Sequence, residues 1–150
     1  QKTQERRKKG NRMEFKIHIP LKYPSLNEYI NACRNNRYTG ANMKKACEQQ
    51  TAIFLKKVPA ITNPVDICFC WVEKDKRRDL DNVAFAKKFI LDALVKTGVL
   101  PDDGQKYVKT LSDTFETGQL NAVTVTIKER GEEQWHSMKR YWYTFRTGEV

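Results

Sequence analysis

The chain contains segments whose apolar residues repeat with the period of a strand. Between Glu14 and Pro20, apolar residues alternate with Lys16 and His18, which predicts a strand with one exposed face. Residues 65–72 are apolar at almost every position, and this predicts a strand buried on both faces in the middle of a sheet. The alternating stretches 106–115 and 123–127 predict two more strands.

Three further segments have the period and the end signals of helices. Pro24 and Ser25 form a turn and a cap, so a helix is predicted from Leu26 to about Arg34. A second helix is predicted from about Ala41 to Lys57, and a third from Leu80 to Lys96. The resulting order is β-α-α-β-α-β-β, which predicts a single α+β domain with a mixed sheet.

The third predicted helix is apolar around most of its circumference. Val83 and Ile90 lie on one face, whereas Phe85 and Phe89 lie on others. Such a helix needs to be buried on more than one side. Packing against its symmetry mate would achieve this, so the pattern predicts a homodimer through this central helix. Lys88 lies about 10 Å along the helix axis from Asp81 of its own chain. In that dimer we therefore expect Lys88 to approach the acidic residues around Asp81 of the other chain.

Charge and composition divide the chain into three parts. Its net charge of +10 indicates a polyanionic partner. Residues 1–12 carry six basic residues, one acid and no apolar residue, so they are predicted to be a flexible basic arm. Residues 13–130 form the predicted domain. The tail 131–150 mixes aromatic and basic residues, which suits either stacking on unpaired bases or packing on the domain or a partner chain.

Two classes of protein are disfavoured by the residues that are missing. No apolar run reaches the roughly 20 residues of a membrane span, and no signal peptide pattern is found, so we expect a cytoplasmic protein without a membrane partner. The cysteines show no Cys-x-x-Cys spacing, which favours buried reduced thiols over a zinc site or disulfides. They are Cys33, Cys47, Cys68 and Cys70.

Carboxylates and cations are concentrated between Glu73 and Lys109. Asp79 and Asp81 follow a predicted buried strand, and Asp102 and Asp103 follow the third helix. Carboxylate oxygens are the ligands that Mg²⁺ prefers, and cations attract phosphate. This combination suits metal-dependent cleavage of a nucleic-acid backbone. The alternative is that Asp79 only caps the helix and Asp81 only meets its dipole.

The segment RRDLDNVAFAKKFILDALVKTGVLPDDGQKYV resembles the signature of the RusA family of Holliday-junction resolvases. The resemblance extends over roughly residues 13–128, and its specific part is 77–108. It implies a homodimeric endodeoxyribonuclease that cuts paired strands of four-way DNA junctions. It also implies dependence on Mg²⁺, with Mn²⁺ as a substitute, and no small-molecule cofactor. The alternatives are a non-catalytic DNA-binding module and a nuclease for other branched DNA such as flaps.

The resemblance also assigns roles to individual residues. Asp79, Asp81 and Asp103 match the catalytic metal-binding acids, and Lys88 matches the essential lysine. Lys87 competes with Lys88, because the segment between Asn82 and Asp92 is longer than in the family form. Asp92 and Asp102 match recurrent acids without an assigned role. The residues expected to bind nucleic acid are Lys74, Lys76, Arg77, Arg78, Lys87 and Lys106.

Overall fold

The computed structural model describes residues 7–9 and 12–131, with side chains from residue 13 onward. Helices cover one face of a mixed sheet, so the predicted α+β class is confirmed. The elements are β1 (Arg7–Lys9), β2 (Arg12–Ile19), α1 (Leu26–Asn35), α2 (Arg37–Leu55), β3 (Val65–Glu73), α3 (Leu80–Ala84), α4 (Lys87–Lys96), β4 (Val108–Thr117) and β5 (Ala122–Glu129). This order differs from the predicted one at its first strand and at its third helix.

The strands lie side by side in the order β1-β2-β5-β3-β4. β3 and β4 run parallel, and the other neighbouring pairs are antiparallel. A parallel pair requires a crossover, and α3 and α4 supply it. The chain therefore leaves β3 at one end of the sheet and enters β4 at the opposite end.

Burial along β3 alternates between the two faces of the sheet. Val65, Ile67, Phe69 and Trp71 are buried beneath the helices, whereas the alternate residues on the other face are only partly buried. The prediction that this strand is buried on both faces is therefore wrong for one face. The reason is that, within the described part of the chain, the helices pack on the same side of the sheet.

The first two helices begin at polar caps. The Ser25 hydroxyl accepts a hydrogen bond from the Glu28 amide, and the Glu28 carboxylate accepts one from the Ser25 amide. This capping box fixes the start of α1 where the sequence predicts it. α2 begins earlier than predicted, because the Asn36 side chain accepts hydrogen bonds from the amides of Tyr38 and Thr39.

The third predicted helix is two helices separated by a turn. α3 ends at Ala84 and α4 begins at Lys87. Across the break, the amide of Ala86 donates to the carbonyl oxygen of Val83, and the amide of Phe89 donates to that of Ala86. These bonds span three residues instead of four, which tightens the backbone into a 3₁₀-like turn.

The same chain covers this helical pair on both sides. Phe89, Ile90 and Leu94 are fully buried, and the Tyr29 ring of α1 lies 5.3 Å from Phe85 and 5.5 Å from Phe89, measured between ring centroids. The argument that this helix needs a symmetry mate to be buried is therefore wrong. A homodimer remains a prediction, but it does not follow from unsatisfied apolar surface here.

The remaining predictions have mixed outcomes. Arg7–Lys9 of the predicted arm pair with β2, so the arm is not free of regular structure, and the tail 132–150 lies outside the described residues. All four cysteines are free thiols, as predicted. Cys47 is buried, but Cys33 is exposed and Cys68 and Cys70 are half-buried, so the prediction of burial is only partly right. Among the residues described, no helix is long and apolar enough to cross a membrane.

We expect Phe89→Ala to lower the free energy of unfolding by about 3–5 kcal/mol, because it leaves a cavity between α1, α4 and the sheet. Urea denaturation followed by circular dichroism measures this change. The matched control is Ile53→Ala on α2, where the side chain is 60% exposed and its removal should cost little. Equal losses for the two variants would contradict the packing described here.

Candidate nucleic-acid cleavage site

A clamp at the end of β3 fixes the loop that leads to the first acidic pair. The Arg78 guanidinium donates through Nε to Glu73 Oε1 at 2.9 Å and through Nη1 to the Tyr23 carbonyl oxygen at 2.9 Å. Its Nη2 also donates to the same Glu73 oxygen. Because Glu73 is the last residue of β3, this clamp holds the start of α3 against the sheet.

Asp79 and Asp81 lie just beyond this clamp, at the start of α3. Asp79 has the backbone conformation of an N-cap, but its side chain makes no capping hydrogen bond. Both residues are exposed, and within the described part of the chain neither carboxylate has a hydrogen-bond or ion-pair partner. The interpretation of Asp79 as a helix cap therefore holds for its backbone only. Both carboxylates are available to a ligand.

Three of the four predicted loop cations are also accessible. Lys74, Lys76 and Arg77 are exposed, and the Arg77 guanidinium lies 3.6 Å from Asp75 in an ion pair at the surface. The backbone amide of Lys74 donates to Asn121 Oδ1, which ties this loop to the turn before β5. Arg78 is different, because the clamp described above already uses its guanidinium. Its guanidinium therefore has a structural role in the clamp, and its role in binding phosphate stays a prediction.

Asp103 lies at the other end of the sheet. The amide of Val108, the first residue of β4, donates to the Gly104 carbonyl oxygen at 3.0 Å, which keeps Asp103 near the start of that strand. Val108 pairs with Val65 at the start of β3, whereas Asp79 and Asp81 follow its end. β3 has nine residues, so the two ends lie about 26 Å apart at about 3.3 Å per residue.

One chain therefore does not bring the predicted acids together. Among the residues that the structure describes, no three His, Cys, Asp or Glu side chains are grouped so that they could hold a metal ion. Asp102 and Lys106 lie at the same end as Asp103. The Asp102 carboxylate lies over Gly104, and the Lys106 ammonium lies 5.3 Å from the Tyr107 ring centroid.

Lys87 and Lys88, the two candidates for the essential lysine, have different surroundings. The Lys87 ammonium donates to Asp113 Oδ2 on β4, and Asp113 Oδ1 accepts a hydrogen bond from Trp71 Nε1 at 2.9 Å. Lys88 is more exposed, and its ammonium lies 3.2 Å from Asp92 Oδ1. Lys87 is therefore engaged at the edge of the core, whereas Lys88 is accessible to a substrate.

Asp92 links Lys88 to a lysine on α2. Its Oδ2 lies 2.9 Å from the Lys44 ammonium. Burial alone would raise the pKa of Asp92, but Lys44 and Lys88 outweigh this effect and hold its pKa below the usual value. The same contact with Asp92 raises the pKa of Lys44. Both groups therefore stay charged at neutral pH.

Sequence reasoning missed Lys44, Glu48 and Asp113. Lys44 and Glu48 lie in a charged helical stretch that favours a solvated face, yet Glu48 is 4% exposed. Their four-residue spacing indicates an ion pair between them. Their other partners, Asp92 for Lys44 and Lys96 for Glu48, are distant in sequence. Asp113 is an acid within an alternating strand, which gives no hint of its bonds to Trp71 and Lys87.

Comparison with known proteins identifies the class to which this chain belongs. The family described as "Endodeoxyribonuclease RusA" matches residues 1–128 of the 150. The chain therefore belongs to the RusA endodeoxyribonuclease family, as the signature segment predicts.

Comparison with curated proteins finds no match. A solved structure titled "Crystal structure of HypE-HypF complex" is similar over 79% of this chain, with 12% sequence identity and a TM-score of 0.33. The similarity covers only 32% of that protein's chain, and it is too low to bear on fold or function.

The clamp and the exposed loop predict different effects of two neighbouring arginines. A plot of log affinity for DNA against log salt has a negative slope. Arg77→Ala should make this slope less negative by about 0.9, because it removes one phosphate contact. Arg78→Ala should leave the slope nearly unchanged and lower the urea midpoint, because it frees Glu73 and the start of α3. Fluorescence anisotropy at several salt concentrations measures the slopes. The reverse pattern would show that Arg78 is the residue that contacts phosphate.

Proposed function

We propose that this protein is a Mg²⁺-dependent endodeoxyribonuclease that resolves four-way DNA junctions by paired cleavage of the phosphodiester backbone. The observation that carries the proposal is the pair of exposed carboxylates, Asp79 and Asp81, beside accessible loop cations in a chain of this nuclease family. Cations bind the DNA backbone, and carboxylates bind a hard divalent ion. The nearest alternative substrate is other branched DNA such as flaps.

The donor set fits Mg²⁺ in part. Asp79 and Asp81 offer hard oxygen ligands without competing partners among the described residues, and Mg²⁺ is commonly held by one or two carboxylates together with water and phosphate. Asp103 lies too far away in the same chain to complete such a site. When bound, Mg²⁺ acts as a Lewis acid toward the phosphoryl oxygen and favours ionisation of water.

A homodimer would bring Asp103 of one chain to Asp79 and Asp81 of the other. The topology supports this proposal, because the parallel pairing of β3 and β4 keeps these acids apart within each chain. A two-fold dimer contains the contact twice, which suits a junction with two scissile strands. We therefore propose two shared sites per dimer, each built from both chains.

The remaining residues have roles that follow from their positions. Lys74, Lys76 and Arg77 bind phosphates that flank the cleaved bond, and the Arg78 clamp holds their loop in place. Lys88 stabilises the negative charge that develops on the phosphate during cleavage. Lys87 stays in its ion pair with Asp113 and supports the edge of the sheet.

Asp81→Asn should reduce nicking of a four-way junction in Mg²⁺ by at least about a hundredfold, because loss of a metal ligand costs several kcal/mol in the transition state. Junction binding should persist or tighten, since the change removes a negative charge beside phosphate. Asp75→Asn, in the loop that precedes α3, is the matched control. Gel-based nicking on junction, flap and linear duplex measures activity and separates the two candidate substrates. Near wild-type nicking by Asp81→Asn would rule out its metal-binding role.

A mixture of Asp81→Asn and Asp103→Asn chains tests the shared site. Each homodimer has a lesion in both sites, whereas the heterodimer concentrates both lesions in one site and leaves the other intact. We therefore expect nicking to return on mixing, up to the activity of one site in each heterodimer. Differently tagged chains purified in tandem provide a verified heterodimer. If that heterodimer stays inactive, or if a monomer cuts at full rate, the acids do not act across an interface.

A further inference from the structure

We propose that Lys44 is a positioning residue for this nuclease: it acts through Asp92 to hold Lys88 in place and to keep the charge of Lys88 available to a DNA phosphate. The inference rests on the proposed function. It extends the site to α2, because Lys44 lies outside the signature segment 77–108.

The geometry gives each lysine its own oxygen of one carboxylate. Lys88 Nζ lies 3.2 Å from Asp92 Oδ1, and Lys44 Nζ lies 2.9 Å from Asp92 Oδ2. The two lysines come from different helices, α4 and α2. Asp92 therefore fixes the position of the Lys88 ammonium relative to the body of the protein, as a bridge between the two helices.

Burial explains why Lys44 is needed in this bridge. Asp92 Oδ2 and Glu48 Oε1 are buried carboxylate oxygens, and the Lys44 ammonium lies against both of them. The Lys44 ammonium lies 2.9 Å from the first and 3.7 Å from the second. Removing Lys44 would leave the buried oxygen of Asp92 without the charge that neutralises it. Lys44 is thus held by two carboxylates and in turn neutralises the inner side of Asp92.

The net charge around Lys88 determines how strongly this part of the surface attracts a phosphate. A lone carboxylate beside Lys88 would cancel most of its positive charge. Lys44 lies on the inner oxygen of Asp92, and Glu48 is also paired with Lys96. The five groups Lys44, Lys88, Lys96, Asp92 and Glu48 together carry +1. The Lys88 side chain is 56% exposed, compared with 36% for Lys44 and 15% for Asp92. The net positive charge is therefore presented to solvent at Lys88.

Lys44→Gln tests the proposal against Lys45→Gln, a matched control that removes the same charge from the next, exposed residue of α2. Two quantities are measured: the single-turnover nicking rate on a four-way junction in Mg²⁺, and the affinity for the same junction in EDTA. We expect Lys44→Gln to slow nicking by about tenfold or more, since small misplacement of a catalytic group is costly. It should also weaken binding more than Lys45→Gln does, and Lys44→Arg should recover both quantities.

A double-mutant cycle separates positioning from direct contact with DNA. If Lys44 acts through Asp92, then Lys44→Gln should slow nicking much less in an Asp92→Asn background than in the wild type. An equal loss in both backgrounds would mean that Lys44 touches DNA itself, and would overturn the proposal. Matching results for Lys44→Gln and Lys45→Gln would also overturn it.

The folding of each variant and the nicking activity of the wild-type protein are checked in parallel. Urea midpoints establish that each variant is folded under the assay conditions. If Lys44→Gln is not folded, the cycle is repeated in a Glu48→Gln background, which removes the second carboxylate that Lys44 contacts. Wild-type protein that fails to nick any branched DNA would overturn the proposed function itself. Wild-type protein that nicks, together with an additive cycle, would overturn only the role of Lys44.

Discussion

The parallel pairing of β3 with β4 is the constraint on which the candidate site depends. Parallel neighbours require a crossover, and here the crossover returns the chain along the full length of the sheet. Asp81 and Asp103, which are close in sequence, are thereby placed at opposite ends of the sheet. In the proposed function, a site that uses Asp79, Asp81 and Asp103 is completed by a second copy, so the same topology would couple cleavage to dimer formation.

Around this constraint, charged residues fall into two groups. Arg78, Glu73, Lys87 and Asp113 are engaged with one another in pairs and with the backbone or an indole ring, so they maintain the frame. The exposed group is Asp79, Asp81, Lys74, Lys76 and Arg77. The net charge of +10 does not distinguish these groups. The distinction comes from burial and hydrogen bonding, which decide whether a charge serves the fold or a ligand.

The sequence predicts the local features well. Ser25 caps a helix, and the alternating apolar residues of β2 and β5 face the core. These features depend on neighbours within a few residues. The break at Phe85 was not predicted, because its cost is offset by packing against Tyr29, which is remote in sequence. The ion pair of Lys44 was not predicted for the same reason, since its partner Asp92 lies on another helix.

The turn at Phe85 and Ala86 also has a consequence for how this chain accommodates differences in length. Asp81 is carried by α3, whereas Lys88 and Asp92 are carried together by α4. In one continuous helix, each inserted residue would rotate the lysine by about 100° relative to the acids. With separate helices, residues can be added in the turn while Lys88 and Asp92 keep their mutual spacing. The break thus uncouples the two halves of the signature and makes the segment between them tolerant of insertion.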